Sequence, residues 1–374
     1  MQQSTKFIGL DVHAKTIAVA AAEDGPRGEV RFVGTVAHTE DAVRRLVAKL
    51  GGENIRLQAC YEAGCFGFRL HRLLVSLGVE CIVISPSMIP RRPNDRVKTD
   101  RRDAQALARL LRAGELTPVW VPDEADEAVR DLVRARRQAR EELGAAKIAL
   151  KSFLLRHGRR FPGRAIWTRT HWRWIGDQRF DFAHQQFVFE ELKRRIDEAS
   201  ARCERLDGML AETVKEWSLG PVVKALQALR GVKLIVAATI VAEIGDVRRF
   251  ANPKQLMSWL GLVPTEHSSG ERRRQGAITR AGNAHARTML IEASWAYRMP
   301  AREGKQHRER AAGLSEEIRA IAWKAQARLT SRFRRMAATG KALPKVVVAI
   351  ARELCGFVWD IGCRVPLIGV GSCR

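Results

Sequence analysis

Apolar positions along residues 6–120 follow two rhythms. Short apolar runs at 6–11, 16–22, 30–36, 55–61 and 79–85 predict five strands. The first two runs make a hairpin, and Glu23, Asp24, Gly25 and Pro26 supply the turn into the third. Thr39 suits the N-cap of a helix through Leu50, because Ala42, Leu46 and Leu50 then share one face. Residues 66–77 predict a second helix, and Asp100 opens a third that runs to Ala113.

From residue 124 to 217 the pattern becomes charged and helical. Phe189, Leu192, Ile196, Ala199, Cys203, Leu206 and Leu210 alternate steps of three and four, the seam of a coiled coil. Residues 132–155 form a second amphipathic helix. The seam fits either an intrachain hairpin or a contact between two copies. Between these helices, residues 161–187 read as irregular, with Trp167, Trp172 and Trp174 interleaved with Arg164, Arg169 and Arg173. From Gly220 onward the chain is mainly helical and very basic, with glycine-rich connections. The expected layout is an α/β domain over 5–122 with the strand order of a ribonuclease H-like fold, a helical coiled-coil arm over 123–219, and a mainly α domain over 220–345. A last helix and loose tail occupy 346–374. Three strands in a meander followed by alternating helix and strand occur in other folds too, so the order alone does not fix function.

Charge narrows the class of partner. Among 374 residues, Lys and Arg number 65 against 41 acidic residues, a net +24. Such an excess suits a polyanion, so DNA or RNA is the expected partner and binding should weaken steeply with salt. Charge alone fits a ribosomal or chromatin-type binder equally well. No run of eighteen uncharged apolar residues appears, and the N-terminus lacks the apolar core of a secretory signal, so a membrane span is not expected and a cytoplasmic, nucleoid-associated protein is. The seven cysteines include no Cys-x-x-Cys pair, and the nine histidines show no metal-ligand spacing.

The candidate chemistry is carboxylate chemistry. Asp11 ends the first predicted strand and Glu62 the fourth, and these two strands are neighbours in a ribonuclease H-like sheet. Asp100 and Asp103, three apart, share one face at the start of a helix. Four carboxylates gathered in one place repel each other unless cations neutralise them. Their hard oxygens suit Mg²⁺, which can serve phosphoryl transfer. Lys98, Arg101 and Arg102 lie beside them in sequence and would hold phosphates. Singly, each carboxylate has a structural alternative. Thr99 is a plausible N-cap, acidic residues in a first turn complement the helix dipole, and Asp11 could open a turn.

These residues resemble a known family. Gly9-Leu10-Asp11-Val12-His13, Tyr61-Glu62-Ala63-Gly64 and Lys98-Thr99-Asp100-Arg101-Arg102-Asp103-Ala104 are similar to the Asp-Glu-Asp-Asp motifs of a large bacterial insertion-sequence transposase family. Its N-terminal domain is similar to the RuvC Holliday-junction resolvase, and some of its members are bridge-RNA-guided recombinases. Gly261-Leu262-Val263-Pro264, Ser268-Ser269-Gly270 and the run from Gly276 to Asn283 resemble that family's C-terminal transposase domain, so the likeness covers roughly residues 5–345. The resemblance implies a serine nucleophile at Ser269, Mg²⁺ at the four carboxylates, and a homodimer or homotetramer joined by the arm. It also implies DNA element ends and target as substrates, and a noncoding guide RNA for part of the family.

On chemistry alone, Ser269 is unspecific. A serine hydroxyl becomes a nucleophile in a positive setting with an oriented phosphate, which Arg272, Arg273, Arg274 and Arg280 would provide and which His267 would assist. A Ser-Ser-Gly surface loop beside a solvated basic run is the plain alternative. Residues 229–237 resemble a helix-hairpin-helix that grips phosphate, although Lys233 stands where a second glycine is usual; an ordinary packing turn fits equally. The three tryptophans either stack on unpaired bases or close a small core. Two functions compete with the recombinase: a metal-dependent junction nuclease that uses water, and a non-catalytic nucleic-acid-binding remnant.

Overall fold

The structure, a computed structural model, describes residues 4–25, 28–90, 99–266, 269 and 274–367. The chain divides into two compact units, Met1–Val121 and Pro122–Arg374.

The first unit is a five-stranded mixed sheet of order β3-β2-β1-β4-β5, formed by β1 (Ser4–Val12), β2 (Thr16–Ala22), β3 (Val30–Ala37), β4 (Ile55–Glu62) and β5 (Glu80–Ile84). β1 to β3 form an antiparallel meander, whereas β4 and β5 run parallel to β1. Successive side chains of a strand point to opposite faces, and this sheet sorts them by size. Ile8, Leu10, Ile17 and Val19 join the core that takes α1 (Glu40–Leu50) and α2 (Arg69–Ser76) through Val43, Leu46, Leu50, Leu70 and Leu74. Ala18, Ala20 and Ala22 face the other way, against Ala104 and Ala108 of α3 (Asp100–Arg112). With Gly9 of β1 and the three alanines of β2 beneath it, the backbone of α3 sits almost on the sheet. A Cβ at Gly9 would lie 2.1 Å from the Ala104 carbonyl oxygen. A return segment closes the edge beside β5, where the Val119 amide donates to the Val83 carbonyl at 2.7 Å.

Thr39 caps α1 as its sequence suggests, accepting from the Ala42 amide, and Thr99 caps α3 by accepting from Arg102. The helix expected over 66–77 is shorter. Gly67 takes φ +63, a left-handed turn that holds helical geometry back until Arg69.

The second unit begins with a long antiparallel helical hairpin, α4 (Glu124–Arg156) and α6 (Ala183–Glu216). α4 starts eight residues before the expected position because Asp123 caps it, accepting from the Asp126 amide at 2.7 Å. The heptad seam finds its partner within the chain. Phe189, Ile196, Cys203 and Leu210 are buried, the first three against Ala139, Leu143, Ala146, Leu150 and Phe153 of α4. Arg136–Asp207 at 2.7 Å and Arg202–Glu142 at 2.5 Å flank the seam. The stretch expected to be irregular holds a two-turn helix, α5 (Arg169–Gly176), capped by Thr168.

The remaining elements are α7 (Gly220–Leu226), α8 (Leu234–Ile244), α9 (Pro253–Trp259), the hairpin β6 (Pro264–Glu266) and β7 (Gln275–Ile278), α10 (Ala284–Ser294), α11 (Lys305–Ala311), α12 (Glu316–Ala338) and α13 (Leu343–Arg364). α8 is buried along residues 237–244, as a helix apolar on all sides must be. α13 joins it through Val346, Val347, Ile350, Ala351, Leu354 and Val358, and Val129, Val133, Leu210 and Val214 of the hairpin base enter the same core. No helix among the described residues is long and apolar enough to cross a membrane.

Candidate metal site and serine hairpin

β1 and β4 are parallel neighbours, with Leu10 opposite Tyr61, so Asp11 and Glu62 follow as the next positions at the same edge of the sheet. α3 brings its first turn to that edge because Gly9, two residues before Asp11, lets the helix backbone press onto β1. The carboxylate of Asp100 thereby reaches the end of β1. Between it and Asp11 lies an imidazole: His13 Nε2 is 3.3 Å from Asp11 Oδ2 and 3.4 Å from Asp100 Oδ2. Asp11, His13 and Asp100 each offer a ligand atom, all within 4.8 Å of one another. The Asp11 side chain is 19% exposed, whereas His13 and Asp100 open to solvent.

His13 was not legible as a ligand from histidine spacing, because its partners come from β1 and from a helix almost ninety residues further on. The turn between β1 and β2 sets its place: the His13 amide donates to the Thr16 carbonyl at 2.8 Å, and His38 Nδ1 lies 2.8 Å from the His13 carbonyl oxygen. Asp103 acts through its field. Burial raises the Asp11 carboxyl first of all, His13 opposes the rise, and the charges of Asp100 and then Asp103 add to it. Glu62 is half-buried beside these groups but outside the three-residue cluster. A carboxylate whose proton affinity is raised by burial and by neighbouring acidic charges is a setting in which a divalent cation replaces the proton. The donors fit: Asp11 and Asp100 provide hard oxygens, with Asp103 and Glu62 at hand, and His13 adds a nitrogen that suits the transition-metal end of the divalent series.

In the second unit, β6 and β7 form an antiparallel hairpin in which Pro264 pairs with Ile278 and Glu266 with Gln275. Ser269 lies in the connection between them and is exposed. His267, Ser268, Arg272 and Arg273 lie outside the described residues, as does Lys98 of the first unit. The base of the hairpin is held tightly. A Cβ on Gly261, at φ +64, would meet the Ala281 backbone at 2.4 Å, and one on Gly282 would meet the Trp259 carbonyl oxygen at 1.8 Å. Arg287 donates to the carbonyls of Leu260 and Ala281 at 2.9 and 2.8 Å. Arg280 adopts φ +56 beside these glycines and is exposed, as is Arg274.

A buried carboxylate anchors the helix that follows. Glu243 of α8, with a side chain 1% exposed, accepts from Nε and one terminal nitrogen of Arg134 at 3.0 and 2.9 Å and from the Asn283 side-chain amide at 2.7 Å. His285 Nδ1 lies 3.1 Å away. Burial pushes Glu243 up, but the bonds from His285, Arg134 and Asn283 outweigh it and bring the carboxyl down to about 2. Asn283 is also the N-cap of α10, accepting from the Ala286 amide at 2.9 Å. One acidic side chain thus ties α4, α8 and α10 together just behind the hairpin.

The basic residues are dispersed. Arg101 lies over the Phe32 ring at 5.6 Å, and Arg102 is exposed on α3. Lys233 is exposed at the N-cap of α8, next to Gly231 at φ +80, where a Cβ would meet the Ala293 carbonyl oxygen at 2.3 Å. That close approach accounts for the glycine by helix packing. The three tryptophans pack beside the α4–α6 core, with His171 stacked on Trp174 and Trp167 tilted on Trp172.

Residues 8–158 match a family described as a transposase of the DEDD IS110 type, and residues 223–310 match one described as "Transposase IS116/IS110/IS902 family". A protein of Sinorhizobium fredii described as "Putative transposase y4qE" is 49% identical over 95% of this chain and 88% of its own. The transposase for insertion sequence element IS1533 of Leptospira borgpetersenii is 31% identical over 91% of this chain and 99% of its own. With both matches in order and relatives aligned along nearly their whole lengths, the chain belongs to the IS116/IS110/IS902 family of transposases, enzymes of DNA recombination.

Proposed function

We propose that this transposase cuts and rejoins DNA with two groups, a Mg²⁺-binding carboxylate set on a ribonuclease H-like (RuvC-like) sheet and a serine nucleophile at Ser269. The observation that carries the proposal is the convergence of Asp11, His13 and Asp100 within 4.8 Å at the edge of the sheet. Asp103 and Glu62 complete the set, supported by the field of Asp103 on Asp11 and by the register of β4 beside β1. The sheet order, an antiparallel meander flanked by two parallel strands, supports the ribonuclease H-like assignment.

Bound there, Mg²⁺ would supply charge neutralisation for a phosphodiester. Ser269 attacks the phosphorus through its hydroxyl oxygen; a P–O bond to the serine forms as the P–O bond to one deoxyribose breaks. The hydroxyl proton leaves to a base or to solvent, and the freed sugar oxygen gains one. The covalent link preserves the bond energy for rejoining, which water as nucleophile would not. Arg274 and Arg280, with Lys98, Arg101, Arg102, Lys233, Arg272 and Arg273, hold backbone phosphates. The chain works as a homodimer or homotetramer, and a noncoding RNA of the element guides it, in keeping with a net charge of +24.

The test is recovery of DNA covalently attached to the purified protein after incubation with element-end DNA and Mg²⁺. The adduct should be absent in Ser269→Ala and in Asp11→Asn, both still folded and still binding DNA. Cleavage by Ser269→Ala would establish water as the nucleophile and defeat the serine assignment. RNA guidance stands if a discrete RNA species matching DNA beside the gene copurifies, and falls if none does.

A further inference from the structure

α12 has two unlike faces. Ile318, Ile321, Ala325, Leu329 and Phe333 are buried in the core. The opposite side presents Arg319, Trp323, Lys324, Arg334 and Arg335, all exposed. From Arg319 to Arg335 this basic strip runs about 24 Å along the helix axis. Trp323, 47% exposed in its midst, is the one exposed tryptophan among the described residues. Trp323 also forms one wall of a groove of about 570 Å³ lined by Glu303, Glu316, Arg319 and Ala320. The facing wall is a fixed structure. Gln326, 1% exposed, donates to the Arg302 carbonyl at 2.9 Å, and Arg230 donates to the Pro300 carbonyl at 2.6 Å, so residues 300–303 are pinned beside the helix.

The groove therefore offers an aromatic face, two carboxylates and a guanidinium at the head of a cationic strip. We infer that it takes one unpaired nucleotide of single-stranded DNA, its base stacked on Trp323 and its strand running along the basic face of α12. Each part answers a need of that ligand. An indole stacks on any base, and arginine and lysine track the phosphates. Carboxylates accept from exocyclic amino groups, which cytosine presents and thymine lacks. A site made for phosphate alone would not carry Glu303 and Glu316. Single-stranded DNA is the source because a recombination enzyme separates strands that must be held apart before rejoining. Apart from its Glu303 wall the site lies beyond residues 223–310 matched by the family, and it goes beyond the cleavage chemistry proposed above, which can fail without it.

The test uses the full chain, with fluorescence anisotropy on short oligodeoxycytidine, oligothymidine, oligocytidine RNA and duplex DNA over a range of salt. Trp323→Ala should weaken oligodeoxycytidine binding by about 5-fold to about 100-fold with an unchanged salt slope, because stacking and not charge is removed. Trp323→Phe should recover most of the loss. Glu303→Gln should reduce the preference for deoxycytidine over thymidine. Duplex binding and the Ser269 adduct should stay at wild-type levels in the Trp323 variants. Photocrosslinking with 5-iododeoxycytidine in the oligonucleotide should map to the peptide holding Trp323. Unchanged affinity in Trp323→Ala, or crosslinks confined to other peptides, would overturn the site. Tighter binding of the RNA than of its DNA counterpart would overturn the choice of DNA. Loss of the adduct in wild type, with the Trp323 effect intact, would refute the serine chemistry and leave this inference standing.

Discussion

Glu243 gives the sharpest test of how the second unit is held. Its carboxylate accepts from Arg134 and Asn283 and faces His285, on α4 and at the N-terminus of α10. Truncation to alanine leaves a guanidinium, an amide and an imidazole without their buried partner, a loss of about 3–5 kcal/mol. The depressed carboxyl leads to a similar figure: lowering from 4.5 to about 2 corresponds to roughly 3 kcal/mol of folding free energy. In a unit of this size that corresponds to a melting temperature lower by roughly 6 to 20 °C at neutral pH. The sign of the pH dependence follows from the depressed folded-state value. The contribution is complete above the unfolded-state value of 4.5 and disappears as pH falls toward 2. Circular dichroism melts of wild type and Glu243→Ala should therefore differ most at pH 6–7 and converge between pH 4.5 and 2. A difference below about 2 °C at neutral pH, or one that widens on acidification, would refute the assignment of Glu243 as the anchor.

Three further outcomes are expected. Gly9→Ala places a Cβ against the Ala104 carbonyl and should cost about 1–3 kcal/mol while moving α3 away from β1, read as a lower denaturation midpoint together with weaker Mn²⁺ binding by calorimetry. His13→Ala removes the imidazole between Asp11 and Asp100; Mn²⁺ affinity should fall about 10-fold or more with Mg²⁺ affinity changed less, and equal losses for both ions would remove His13 from the ligand set. Leu150→Ala hollows the α4–α6 seam at a fully buried position and should cost about 2–5 kcal/mol by urea unfolding, whereas Ile148→Ala, 67% exposed on the same helix, should change little.

Much of the first unit follows from local chemistry. The range of β2, the Thr39 and Thr99 caps and the carboxylates at the strand ends are written in side-chain alternation and hydroxyl placement. The seam of α6 is equally plain as a repeat, since Phe189, Ile196, Cys203 and Leu210 recur every seven residues. Its partner is not, because a heptad states that a helix needs a groove and is silent on which helix provides it. The two-turn helix α5 escaped for a related reason: eight residues hold too little periodicity to outweigh their aromatic and glycine-rich neighbours.

Sequence by itself determined the strands and caps of the first unit, the net positive charge and the family motifs, because each depends on residues close together along the chain. Only the tertiary structure set His13 between two aspartates, buried Glu243 under residues 40 and 109 positions away, and opened a groove beside Trp323. Those arrangements depend on how closely backbones approach, as at Gly9 and Gly282, and on which buried charges find partners. Both are properties of packing in three dimensions, where distance along the chain no longer measures distance in space.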